Sequence, residues 1–82
     1  MIEAGRLMAF FSKVSAAVVE LRQPLRVGET IYVRGHTTEL RQVVESIQRG
    51  RAPVQEASCG QVVGIRIRKH CRKHDVVYKF VS

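Results

Sequence analysis

Short runs of β-branched and apolar residues, separated by glycine, proline or charged residues, recur along the whole sequence of 82 residues. Val, Ile and Thr pack better on a pleated surface than in a helix, so these runs favour strands. Segment 38–49, with Thr38 as a cap, also fits a helix, but its Val43-Val44 and Ile47 favour a strand. The pattern predicts an all-β fold, a small barrel or sandwich, with six strands at 8–13, 16–21, 30–34, 42–48, 61–68 and 76–81.

Alternation along two of these strands predicts which side chains face the core. The apolar positions that share the inner face are Ile31, Val33, Val63, Ile65 and Ile67. The positions between them point outward, which places Tyr32, Arg34, Arg66 and Arg68 at the surface. Gly64 lies in the middle of its strand and predicts a bulge or a sharp bend there.

The length of the chain allows one small domain, which we assign to residues 1–82, and excludes a deep catalytic cleft between two lobes. The longest apolar stretches, 7–11 and 15–19, are far shorter than the roughly 20 residues that a membrane span requires. The first of them is also too short for a signal peptide. We therefore expect no membrane segment and a cytoplasmic location.

The formal charge of +7 is concentrated near the end of the sequence. Residues 61–82 hold six basic and one acidic residue, against eight and six in residues 1–60. Clustered Arg and Lys side chains neutralise phosphates and give sequence-independent affinity for nucleic acid. A solvated face that only maintains solubility is the alternative explanation. The predicted phosphate contacts are Arg66, Arg68, Lys69, Arg72 and Lys73.

Four segments, in order, resemble the β-barrel domain 2 of translational GTPases such as elongation factor Tu. Their sequences are AVVEL at 17–21, PLRVGETIYV at 24–33, VESI at 44–47 and PVQEASCGQVVGI at 53–65. The resemblance covers residues 5–81 and implies a closed six-stranded antiparallel Greek-key barrel, in a free-standing protein similar to a translation elongation factor. One departure is His74-Asp75, where that family usually has Gly-Asp before its last strand.

The sequence predicts no enzyme, no cofactor and no bound nucleotide, since none of its glycines opens a phosphate-binding G-x-x-x-x-G-K-[ST] loop. His70, Cys71 and His74 have ligand chemistry suited to zinc, which usually takes four ligands. Cys59 precedes the strand that the other three follow, so we expect it at the opposite end of the barrel, too far for a fourth ligand or a disulfide with Cys71. We therefore predict no metal and read the segment as a basic loop that contains histidine.

Two functions of different classes remain. The first is a non-enzymatic binding module associated with RNA or the ribosome, as the resemblance to translation factors implies. The second is a protein-interaction module that docks in trans onto a larger enzyme. Similar barrels are appended to enzymes, including the C-terminal region of some U32-type peptidase relatives that act in RNA modification. An exposed apolar patch would favour the second function, and a salt-sensitive affinity for RNA the first.

Overall fold

The computed structural model describes residues 1–80, which form ten β-strands. These residues include no helix with the length and apolarity needed to cross a bilayer. The strands are β1 Ile2–Phe11, β2 Ala16–Leu21, β3 Leu25–Arg26, β4 Thr30–Arg34, β5 Glu39–Val43, β6 Ile47–Arg49, β7 Ala52–Val54, β8 Glu56–Ala57, β9 Val62–Arg66 and β10 Val76–Lys79.

Eight strands form one antiparallel sheet in the order β5-β4-β10-β1-β2-β9-β6-β7, and β3 pairs separately with β8. The prediction of an all-β fold is confirmed. The prediction of a closed six-stranded barrel is wrong, because the main sheet is a half-barrel whose outermost strands, β5 and β7, do not pair with each other. The sheet also brings the first and last strands together, with Ile2 opposite Lys79.

The side chain of Gln42 contacts the end of β9, with which β5 forms no backbone ladder. Its amide nitrogen donates to the carbonyl oxygen of Arg66 at 2.9 Å, and its amide oxygen accepts from the backbone nitrogen of Arg68 at 3.0 Å. One amide therefore makes the pair of hydrogen bonds that a neighbouring strand would otherwise make. This contact joins the edge strand β5 to the end of β9.

The predicted strand 42–48 is instead two strands separated by a break. Val44 is fully buried, and its backbone bonds to Glu29 and Gly28 at 2.8 and 2.9 Å rather than to a sheet neighbour. Those bonds end β5 at Val43 and redirect the chain before β6 begins at Ile47. The buried valine made the segment look like a continuous strand in the sequence.

The other strands agree with the prediction to different degrees. β2 and β4 have the predicted bounds, whereas β9 is shorter than predicted and β1 begins at Ile2 rather than at residue 8. β1 shifts register between Glu3 and Gly5 and again between Leu7 and Ala9, which obscures its alternation. The last strand ends at Lys79, and the final residue predicted for it, Val81, lies outside the described residues.

The core forms from the inner face of the sheet, as alternation predicts. Ile31, Val33, Ile65 and Ile67 are fully buried and Val63 nearly so. The arginines between them are exposed. Gly64 makes no bulge, because the ladder from β9 to β2 keeps a regular register through it.

A buried carboxylate holds the loop before β10 in place. Asp75 is 5% exposed, and its Oδ2 accepts a hydrogen bond from the backbone nitrogen of Arg72 at 2.9 Å. On its other side lies Gly35, at the end of β4, packed so closely that a Cβ there would sit 1.8 Å from Oδ1. His74 takes a φ of 79°, at the turn where the sequence has histidine in place of glycine.

We expect Gly35→Ala to destabilise the fold, because the added methyl group overlaps a carboxylate that cannot move without losing its hydrogen bond to Arg72. Overpacking of this kind costs about 1–3 kcal/mol, and each kcal/mol lowers the melting temperature of a small domain by roughly 4–8 °C. Thermal unfolding followed by circular dichroism measures the change. Gly64→Ala is the matched control, since a Cβ there meets no atom closer than 3.9 Å. Equal melting temperatures for the two variants would contradict the proposed contact.

Candidate functional site

The five predicted phosphate contacts lie together at one end of the sheet. They belong to residues 66–73, which we call the basic loop, beginning with Arg66 as the last residue of β9. Arg66, Arg68, Lys69, Arg72 and Lys73 are all exposed. The loop is fixed at its start by a hydrogen bond from the nitrogen of Ile67 to the oxygen of Ser15 at 2.9 Å, and at its end by the Asp75 carboxylate.

The five cations are not equivalent, because Arg68 has an acidic partner. Its guanidinium pairs with the carboxylate of Glu45, with Nε donating to Oε1 at 2.6 Å. Among the described residues, no carboxylate lies within ion-pair distance of the other four side chains. Arg68 is therefore the member of this set whose charge is neutralised by an ion pair, whereas the other four can pair with an anion from outside.

A shallow groove separates the basic loop from the β4–β5 turn. Its volume is about 310 Å³, and it is lined by Thr37, Thr38, Glu39, Lys69, His70 and Arg72. The ring of His70 stands edge-on against Phe10, with 5.2 Å between ring centroids. Two cations and a threonine hydroxyl suit an anionic group, whereas the Glu39 carboxylate opposes one.

The two cysteines have different environments, and both are free thiols. Cys71 is buried in the basic loop and donates to the oxygen of Lys69 at 3.4 Å, and burial raises the pKa of its thiol to about 11. Cys59 is exposed and donates to the oxygen of Arg22, beyond the other end of β2. Residues 1–80 bring no three His, Cys, Asp or Glu side chains together as metal ligands.

A second surface, which the sequence did not predict, covers the outer side of β1, β2 and β9. Cross-strand pairing aligns Phe11 with Ala16 and Arg66 in one row, and Val18 with Gly64 in the next. The large side chains here are well exposed, with Phe11 at 56%, Val14 at 67% and Val62 at 48%. We call this surface the outer apolar face and define it by Phe11, Val14, Ala16, Val18, Val62 and Gly64.

Alternation in the sequence already placed Gly64 and Arg66 on the outer side of their strand. The sequence does not give the strand order, and only the pairing of β1 with β2 and of β2 with β9 makes the residues of the outer apolar face neighbours. Ala16, Val18 and Val62 each look like ordinary core residues when read along one strand. Exposed apolar side chains grouped on one face are a feature of protein-interaction sites.

Three curated proteins are similar to nearly the whole chain. One is named an uncharacterized protease, from Methanocaldococcus jannaschii, and is 40% identical over 78 residues, which are 94% of this chain and 19% of that protein. Two are named collagenase, from Porphyromonas gingivalis, and are 31% identical over 96% and 93% of this chain, or 20% and 22% of their own length. The chain therefore spans about one fifth of the length of the curated relatives it matches. No family model matches it.

Solved structures share the fold, among them two of the same domain. The crystal structure of the C-terminal domain of a putative U32 peptidase from Geobacillus thermoleovorans superposes with a TM-score of 0.91 at 19% identity, covering 98% of this chain and 93% of that one. Its selenomethionine variant gives 0.89, covering 94% and 98%. The identification with translation factors, and with it a role tied to the ribosome, is wrong.

The contrast between the two thiols predicts their reactivity. At about pH 8, a thiol with a pKa near 11 is roughly 0.1% ionised, and the thiolate is the reactive form. We expect Ellman's reagent to modify Cys59 rapidly in the native protein and Cys71 only after denaturation. The variant Cys59→Ser should then show no rapid phase. Two rapidly reacting thiols in the native protein would contradict the burial of Cys71.

Proposed function

We propose that the chain is a non-catalytic protein-interaction domain that binds the catalytic part of a U32-peptidase-like enzyme. The outer apolar face is the observation that carries this proposal. The raised pKa and burial of the Cys71 thiol argue against a nucleophilic role for that residue, because the thiolate is the nucleophile.

The outer apolar face combines large exposed apolar side chains with small residues. Phe11 and Val14 project at the β1–β2 turn, while Ala16, Val18 and Gly64 leave a low area beside them. Large exposed side chains next to a depression allow a partner to pack closely against both, and binding hot spots depend on such close packing. Charged side chains adjoin these residues: Arg66 lies in the row of Phe11 and Ala16, and Glu20 lies directly opposite Val62.

The relatives suggest what covers this face. In each of them the matched segment accounts for about one fifth of the chain, so four fifths of the same protein is available as a neighbour. The solved structures of this fold carry the description of a C-terminal domain of a putative U32 peptidase. These proteins support a partner that resembles the remainder of such an enzyme.

The double variant Phe11→Asp/Val14→Asp tests the proposal. Both side chains are exposed, so we expect the fold to survive while two desolvated carboxylates weaken docking at least about tenfold. The binding partner in the assay is the Methanocaldococcus jannaschii relative without its matched segment, checked for folding by circular dichroism. Isothermal titration calorimetry measures the affinity.

Val43→Asp is the matched control, because Val43 is 51% exposed but lies on β5, at the edge of the sheet and outside the outer apolar face. It should bind like the unmodified chain. Absence of binding by the unmodified chain to a folded partner would contradict the proposed function. Equal losses in the control and the double variant would place the interface elsewhere.

A second candidate function is contact with nucleic-acid phosphates through the basic loop. The observation that favours it is the absence of an ion-pair partner, among the described residues, for Arg66, Lys69, Arg72 and Lys73. Such cations are available to phosphate oxygens without first breaking an internal salt bridge. Arg68 is the weakest member of the predicted set, since its charge is already paired with Glu45.

Reversal of those four charges to Glu should abolish binding to bulk tRNA if the basic loop is the contact. Affinity of the unmodified chain should fall steeply as salt rises, because phosphate binding releases counterions. The control with the same charge change is Arg6, Arg34, Arg49 and Arg51 to Glu, four exposed arginines outside the loop. Filter binding at several salt concentrations separates a local site from a general effect of net charge.

A further inference from the structure

Gly64 occupies a position where the fold does not require glycine. It lies in the middle of β9, paired with Val18 on one side and with Gln48 on the other. A Cβ there would come no closer than 3.9 Å to the oxygen of Gln48 and 4.0 Å to its Cβ, which is ordinary contact. Its backbone is not in the left-handed region, and its ladder to β2 has no bulge.

Glycine in the interior of a strand nevertheless costs stability, because it adds backbone entropy to the unfolded chain and no packing to the sheet. A larger residue at this position would strengthen β9 without a clash inside the domain. A missing side chain also leaves space that a group from outside the chain can occupy. Close approach of a ligand or another backbone is a known use of glycine in strands.

The space above Gly64 is a groove of about 400 Å³. Its walls combine apolar and polar groups, with Val14 and Ala16 on one side and Ser46 and Gln48 on the other. Arg66 lies at its margin, two residues along the same strand, and no described carboxylate lies within ion-pair distance of it. The groove is continuous with the outer apolar face through Val14, Ala16 and Gly64.

We infer that Gly64 is the floor of an anchor pocket that receives an apolar side chain of the partner, while Arg66 pairs with a carboxylate beside that side chain. This inference rests on the proposed function and adds the chemistry of the docking segment. Val14 and the Gly64 backbone contact the apolar group. The free guanidinium at the rim selects a partner with an acidic residue next to its anchor.

Charge and size together define the occupant. A cation at the edge of an apolar pocket rejects partners that present a Lys or Arg there and favours those that present Asp or Glu. Within the partner that the proposed function names, the occupant is a segment in which an aliphatic or aromatic residue adjoins an acidic one.

The test separates binding from stability. Gly64→Ala and Gly64→Val fill the pocket by steps, and Arg66→Gln removes the charge while keeping most of the side chain. Each variant is titrated calorimetrically into the Methanocaldococcus jannaschii relative that lacks its matched segment, and its melting temperature is measured alone. We expect affinity to fall in the order unmodified, Ala, Val, with Val at least about tenfold weaker, and melting temperatures equal to or above that of the unmodified chain. Arg66→Gln should weaken binding and reduce its dependence on salt.

The outcomes distinguish the pocket from the docking function. If the unmodified chain binds and Gly64→Val binds equally well, the pocket is overturned while docking through the outer apolar face stands. If Gly64→Val unfolds or melts at a lower temperature, the glycine serves the fold and the inference also fails. If the unmodified chain does not bind a folded partner, the proposed function and the inference fall together.

Discussion

The buried carboxylate of Asp75 is the contact on which the position of the basic loop depends. It accepts the backbone nitrogen of Arg72, lies against Gly35, and its own backbone oxygen accepts from Leu7 in β1 at 2.8 Å. One residue therefore ties together the basic loop, the end of β4 and the first strand. A buried carboxylate is costly unless it is hydrogen-bonded, so the position holds the loop in one arrangement rather than several.

The basic loop and the outer apolar face are two surfaces of different chemistry, and they meet at Arg66. The residue closes the row that begins with Phe11 and Ala16, and it is also the first cation of the basic loop. An apolar area beside free positive charge favours a partner that is apolar at its centre and acidic at one side. Net charge alone favoured nucleic acid as the partner because it counts the basic residues. It carries no information about the exposed apolar side chains that lie beside them.

The sequence predicts well those features that depend on residues near one another in the chain. Clean alternation placed β2 and β4 at their observed bounds and turned Ile65 inward and Arg66 outward. Features that depend on distant residues could not be predicted in this way. The Gln42 amide acts across 24 residues, and the partner of Arg68 is Glu45, 23 residues earlier. The resemblance to translation factors failed for a related reason, since its motifs describe turns that many small β-domains need.

The pairing of β1 with β10 places the two ends of the described chain next to each other. Because Ile2 and Lys79 face each other across neighbouring strands, the described chain enters and leaves the fold at nearly the same place. A unit with adjacent ends can be carried from one host protein to another, spliced into a surface loop or joined at either terminus, without stretching its sheet. Recombination of this sort conserves the outer surfaces while changing the protein to which they are attached. In the curated relatives the matched segment accounts for about one fifth of each protein.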